Sequence, residues 1–270
     1  VLAQHNTSVM NTSKTMQVRI LRPAQITPSQ IDQMCDLYIA NHNIDRLPCQ
    51  NRITSGFDQI ALFLCSQSGR VVGFNGMRIK KHKAKGFLRP VRSLYLGQMF
   101  VEPSFRGKHP IHKVCTAALW PVLLFQPWYR NIIWGDALTY KPFLLIAHTA
   151  NIYFPNPETE TPQRYKNLIN YLGETHYGEK YDAASGCVTK EKKLLKEHVV
   201  PLDHRLLRNP LIKFYAEKNA RYQEGHGLLV MMDFTWSEVF SILRKITKNT
   251  RKRLIEHSQL APLLRPILRS

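Results

Sequence analysis

Acidic residues are scarce in this chain of 270 residues: 19 Asp and Glu stand against 38 Lys and Arg, a formal net charge of +19 at pH 7. A surplus of that size points to an anionic partner, such as nucleic acid, anionic lipid, a polyphosphate cofactor or an acidic carrier protein. Cysteine is sparse too. The five residues Cys35, Cys49, Cys65, Cys115 and Cys187 form no CxxC pair, which excludes a disulfide framework and a zinc site and reads as a reducing compartment. No apolar run approaches the roughly 20 residues of a membrane span; WPVLLF and FLLIA fall well short. HxxxH spacing is missing, and no Ser/His/Asp order stands out, so neither metal-ligand nor triad chemistry is indicated. Repeats and low-complexity tracts are absent. Residues 1–15 are polar, lack an apolar signal core and are expected to be a disordered leader.

What is present is an ordinary hydrophobic content, 44%, enough for one large domain or two small ones. The chain is organised around residues 93–115, SLYLGQMFVEPSFRGKHPIHKVC. Aromatic and branched residues make SLYLGQMFVEP a strand that Pro103 stops. A basic turn follows, and Pro110 suits the first position of a helix. Basic side chains and free backbone N–H groups at a helix N-terminus form an anion site, with phosphate or pyrophosphate as the natural guest.

The remaining elements follow in order. Residues 16–22 alternate as a first strand. Thr27 caps a helix with Pro28 at its first position. Residues 41–56 are irregular, with a short helix. GFDQIALFLCS and VVGFNGMRIKK form a hairpin across QSGR, and a basic loop is expected over 80–92. RNIIWGDALTY is a strand and PFLLIAHTA a helix. Residues 151–205 hold a helix, QRYKNLINYLGETHYG, and a short strand or turn, ASGCVTKEKK, within an insertion or small subdomain. NPLIKFYAEKN is a helix, GHGLLVMMDFT a strand, and Ser237 caps a last amphipathic, basic helix. One mixed sheet with helices on both faces fits this order.

At residues 94–112 the pattern resembles the GNAT superfamily of N-acyltransferases, whose motif V-x-P-x-x-R-G-x-G-x-G/A opens a long helix after a strand. Val101, Pro103, Arg106 and Gly107 stand in the matching places. The family's two later glycines are His109 and Ile111 here, and Pro110 removes a donor. The resemblance implies a mixed, mostly antiparallel α/β sheet flanked by helices over residues 16–236, with an insertion at about 141–205 and a basic amphipathic helix and tail over 237–270. It implies that the splayed backbone at Met99, Phe100 and Val101 binds the pantetheine arm of an acyl donor. The turn Arg106, Gly107, Lys108, His109, Ile111 and His112 would hold the pyrophosphate. Phe214-Tyr215-Ala216-Glu217-Lys218 resembles a family helix bearing F-Y-x-K, with Tyr215 placed to protonate the leaving thiolate.

Acyl transfer to an amine needs the amine deprotonated, the carbonyl polarised and the thiolate protonated. A backbone N–H near Met99–Val101 suits the carbonyl. Glu102, at the strand end, or Asp136, inside an apolar strand, suits the base; the bland readings are an exposed carboxylate beside Arg106 and a hydrogen-bonded structural Asp. His148 on FLLIAHTA is a further candidate base or a structural histidine. Tyr140 and Tyr153 flank that helix, and Cys115 reads as core. The basic segments 80–92 and 244–253 dock an acidic acyl carrier protein or phosphoadenosine, hold an anionic membrane surface, or form a solvated face. No stacking or helix-turn-helix motif favours nucleic acid. The expected function is an N-acyltransferase using acyl-CoA or an acyl carrier protein thioester, long-chain acyl groups included. Its acceptor is an amine-bearing small molecule or peptide, transfer is direct in a ternary complex, no metal takes part, and the setting is cytoplasmic or membrane-peripheral. The alternative is a catalytically degenerate GNAT-fold module that binds nucleic acid or anionic membrane.

Overall fold

The structure is a computed structural model and describes residues 15–106, 126–189 and 202–238, with positions 114, 196, 240 and 244. The expected leader, the turn residues Gly107, Lys108, His109, Ile111 and His112, the helix bearing Cys115, and the basic segment 245–253 lie outside the described residues. The chain divides into two compact units. One carries residues 15–77 and 97–106; the other carries 78–96, 126–189 and 202–238.

In the first unit, β1 (Met16–Leu21) pairs antiparallel with β2 (Gln59–Cys65), and β2 pairs antiparallel with the first part of β3 (Val71–His82). Helix α1 (Pro28–Ile39) begins as its sequence dictates: Thr27 Oγ1 accepts from the Gln30 N–H at 3.3 Å while Gln30 reaches back to the Thr27 N–H at 3.0 Å, a reciprocal cap. Met34, Cys35 and Tyr38 recur at helical spacing on one face and are buried with Ile60, Leu62 and Phe74. A second helix, α2 (Arg46–Thr54), buries Cys49 and Ile53 in the same cluster. Cys49 sits beside Cys35, and burial pushes its thiol up to about 12.

The second unit is built on β4 and β5. β4 (Val91–Val101) contributes its first part to this unit and its second part to the other. β5 (Arg130–Ala137) pairs parallel with β4 from Val91↔Arg130 to Tyr95↔Trp134. β9 (Gly227–Asp233) lies antiparallel on the other side of β5, and β8 (Cys187–Val188) and β7 (Tyr181–Asp182) follow it outward. β6 (Tyr153–Phe154) also pairs with β9. Three helices belong here: α3 (Tyr140–Thr149), α4 (Gln163–Tyr177) and α5 (Pro210–Lys218). Asn209 caps α5 by accepting from the Leu211 and Ile212 N–H groups. The sheet is mixed, mostly antiparallel and flanked by helices, as the sequence implied.

Two expectations are corrected. The basic loop is shorter than 80–92: β3 runs on to His82 and β4 starts at Val91. Arg92 is a buried strand residue whose guanidinium lies 4.2 Å from the Tyr129 ring centroid, a contact that compensates a buried cation. Within the stretch 151–205, β6 and β8 both hydrogen-bond to β9.

An ion pair fastens this unit. The Asp233 side chain, 0% exposed, accepts from Arg130 Nε at 3.0 Å and from Arg130 Nη2, and Tyr165 Oη donates to it at 2.6 Å. Burial first, then the Asp233 carboxylate, push the Tyr165 phenol up to about 12. Asp233→Ala strands the Arg130 guanidinium and the Tyr165 hydroxyl. Urea unfolding should register a loss of about 3–5 kcal/mol, the range for breaking a buried pair, whereas a loss under about 1 kcal/mol would deny the pair that role.

Candidate functional site

β4 changes character half-way along. Its ladder with β5 ends at Tyr95. The Leu96 carbonyl then comes so close to Gly135 that a Cβ there would lie 2.7 Å from the oxygen, so only glycine admits this approach. Two residues on, in the first unit, Gln98 has a left-handed backbone, φ 53°, a conformation costing about 1–2 kcal/mol for a residue with a side chain. Side chains hold it there. Gln98 Nε2 donates to the Arg52 carbonyl at 2.8 Å, and Asn75 Nδ2 donates to the Gly97 carbonyl at 3.0 Å. The Oδ1 of Asn75 and the Oε1 of Gln98 are buried and have no hydrogen-bond partner among the described residues. Met99 is 37% exposed, Phe100 is buried in the first unit's core, and Val101 is half-buried. The stretch that sequence reasoning assigns to the pantetheine arm is therefore a bulged strand flanked by two orphan acceptors.

Glu102 follows directly. Its carboxylate pairs with Arg70 Nη2 at 2.8 Å and accepts from Ser104 Oγ at 2.8 Å. Arg106, expected beside it, instead donates from Nε to the Val101 carbonyl at 3.0 Å. Both Glu102 oxygens are thus engaged, which makes it a poorer proton acceptor than a carboxylate open to an amine.

In the second unit, Asp136 lies on β5, where it is half-buried. Tyr95 Oη donates to Asp136 Oδ1 at 2.9 Å, and Tyr177 Oη, from the last residue of α4, donates to the same oxygen at 2.8 Å. The two phenol oxygens are 3.1 Å apart. Gly227 makes room, since a Cβ there would lie 3.2 Å from Asp136 Oδ2. Burial, then the Asp136 charge, push both phenols well above their ordinary 10.0. His176 packs against this cluster, its ring centroid 4.4 Å from that of Tyr95 and 4.5 Å from that of Tyr177. Arg78 Nη1 lies 3.0 Å from His176 Nδ1. A guanidinium only donates, so Nδ1 accepts and the ring proton sits on Nε2.

The other expected residues lie apart from this cluster. Tyr215 is 0% exposed; its hydroxyl donates to the Ala137 carbonyl at 3.1 Å and accepts from Asn219 Nδ2 at 3.1 Å. Burial holds its phenol far above the usual range. His148 is exposed in the last turn of α3. Tyr153 is buried against Phe143, and Tyr140 is half-buried at the start of α3. Sequence reasoning found Asp136 but missed Tyr95, Tyr177, His176 and Arg78. Tyr95 was readable as a β4 residue; Tyr177 and His176 reach the site only through the packing of α4.

No family model and no curated protein matches the chain. Solved structures do. NAA60 of Arabidopsis thaliana in complex with acetyl-CoA is 14% identical, with a TM-score of 0.34, over 48% of this chain and 81% of that one. An acetyltransferase of Trypanosoma brucei is 18% identical, with a TM-score of 0.34, over 55% of this chain and 98% of that one. An aminoglycoside acetyltransferase from an uncultured soil metagenomic sample, in complex with sisomicin, is 14% identical, with a TM-score of 0.34, over 54% and 91%. Likenesses at this level decide nothing about activity.

The displaced phenols have a pH signature. Unfolded tyrosines release their protons near pH 10, whereas Tyr95 and Tyr177 hold theirs in the fold. Stability is intact below pH 10 and falls as pH rises beyond it. The urea midpoint should therefore drop above pH 10, and the drop should shrink in a Tyr95→Phe, Tyr177→Phe double variant. It should not vanish, because Tyr165 and Tyr215 share the direction. An unchanged slope would show the two phenols to be ordinary.

Proposed function

We propose that this protein is an N-acyltransferase that moves an acyl group from a thioester donor to a primary amine. The observation that carries the reading is the bulge of β4 at Gln98 with two orphan acceptors beside it, followed by the sequence V-x-P-x-x-R-G from Val101 to Gly107. A bulged strand offers backbone N–H and C=O groups to an extended, amide-bearing ligand. The pantetheine arm of coenzyme A or of an acyl carrier protein has that character, and its amide N–H groups suit orphan acceptors such as Asn75 Oδ1 and Gln98 Oε1. A backbone N–H at Met99–Val101 polarises the thioester carbonyl. Arg106, with the turn residues Gly107, Lys108, His109, Ile111 and His112, supplies the positive side for the donor's phosphates.

On the acceptor side, Asp136 is assigned as the base, directly or through one water. It is a carboxylate set among aromatic rings and oriented by two phenols that donate to one of its oxygens, and a carboxylate so held can take a proton from an ammonium. Glu102, tied to Arg70 and Ser104, is the lesser candidate, and His148, exposed in the last turn of α3, is lesser still. For the proton returned to the thiolate, Tyr177 is preferred to Tyr215. Its phenol already shares a proton network with Asp136, whereas the Tyr215 proton is bound to the Ala137 carbonyl in a fully buried position. The surplus of +19 favours one further reading, a fold of this type used only to bind nucleic acid or anionic membrane.

Calorimetric titration with acetyl-CoA, a long-chain acyl-CoA and an acyl carrier protein separates the two. Saturable binding of one donor is expected; binding of DNA or anionic vesicles with none of the donors overturns the enzyme reading. Given a donor and an accepted amine, Asp136→Asn should lower kcat by about 100-fold or more with donor affinity within about twofold. Tyr215→Phe should cost stability and little rate; a loss as large as that of Asp136→Asn would return the acid role to Tyr215.

A further inference from the structure

Beside the Asp136 cluster, the second unit holds a small cleft, about 20 Å³ of space, on the order of one or two waters. Its lining is cationic. Arg78, Lys80 and His82 all face it, because positions two apart on a strand share a side. Ser93 and Tyr95 repeat that spacing on β4, and His176 with Thr175 closes it from α4. Arg78 is half-buried and Lys80 is exposed at the rim. His82 is held by Ser93, Nε2 to Oγ 2.7 Å, so it shapes the wall. Trp134 also lines the cleft; it is 5% exposed, and its buried indole N–H has no hydrogen-bond partner among the described residues. An orphan buried donor is costly and is relieved by an acceptor. Among the described residues no carboxylate lines the cleft. Asp136 lies behind the wall, where it accepts from the Tyr95 hydroxyl.

We propose that this cleft is an oxyanion subsite and that the amine acceptor is zwitterionic, its carboxylate or phosphate set against Arg78 and Lys80 while its ammonium faces Asp136. The arrangement offers each charge its opposite: two cations and an indole donor line the cleft, and a carboxylate accepts from the hydroxyl of Tyr95 on its wall. Two opposite charges on one small molecule explain why a chain with so few acids keeps Asp136 beside a basic cleft. The assignment of the anion to the acceptor rests on the acyltransferase reading; the anion site itself does not.

The subsite is tested first without any donor. Inorganic phosphate and acetate are titrated calorimetrically into the full chain at constant ionic strength set with sodium chloride. Saturable binding of one is expected, and the tighter one tells phosphate from carboxylate. Arg78→Gln and Lys80→Glu should each weaken it about tenfold or more, and Arg205→Gln, which removes an exposed charge elsewhere in this unit, should leave it unchanged. No saturable binding, or equal weakening in all three variants, overturns the subsite. With a donor present, β-alanine is compared with propylamine, and phosphoethanolamine with ethylamine. The zwitterion should be the better substrate by KM in the wild type and should lose that advantage in Arg78→Gln; equal KM values overturn the zwitterionic acceptor. Anion binding without turnover of any amine sinks the acyltransferase reading and leaves the subsite standing.

Discussion

The parallel contact between β4 and β5 is tight and short, and much else follows from where it stops. At Gly135 the two backbones approach until the Leu96 carbonyl occupies the space of a side chain. The ladder runs to Tyr95. In the first unit the same strand bulges at Gln98, and buried polar backbone is costly unless something satisfies it. Asn75 Nδ2 satisfies the Gly97 carbonyl, and the Arg52 carbonyl anchors the Gln98 side chain.

The same glycine logic positions the Asp136 cluster. Asp136 follows Gly135 on β5, and Gly227, on the neighbouring β9, lacks the atom that would crowd the carboxylate. Into that space come two phenols from separate elements, Tyr95 from β4 and Tyr177 from the end of α4. The ring of His176 and the indole of Trp134 wrap the cluster, their centroids 5.4 Å apart at right angles. Such an aromatic wall lowers the local dielectric, strengthens the field of Asp136 and keeps both phenols protonated. The basic cleft on the far side of Tyr95 uses the same strands, with β3 presenting its cations at every second residue.

Legibility in the sequence varied with the range of the interaction. Helix starts were readable because caps are local: Thr27 and Asn209 act on amides two or three residues away. The β2–β3 hairpin was readable from alternation and a short turn. The loop assigned to 80–92 failed because Lys and Arg were weighed as loop formers, when the period of two in Arg78, Lys80 and His82 already marked a strand face. Arg92 failed likewise, since its burial depends on Tyr129, 37 residues later, lying over it. Glu102 was placed correctly at a strand end, but its partner Arg70 comes from the turn before β3 and is invisible to local pattern.

The amino-acid order alone determined most of the helices and strands, the surplus of positive charge, the strand–turn–helix motif around Val101 to Gly107, and the presence of an acid in an apolar strand. Those depend on neighbours within a few residues. Only the tertiary structure decided that Asp136 meets Tyr95 and Tyr177, that Tyr215 is locked in the core, that Glu102 is already paired, and that the cations of β3 line a cleft. Each of these depends on contacts between residues 11 to 98 positions apart. Such contacts form only once packing has fixed where every strand and helix lies.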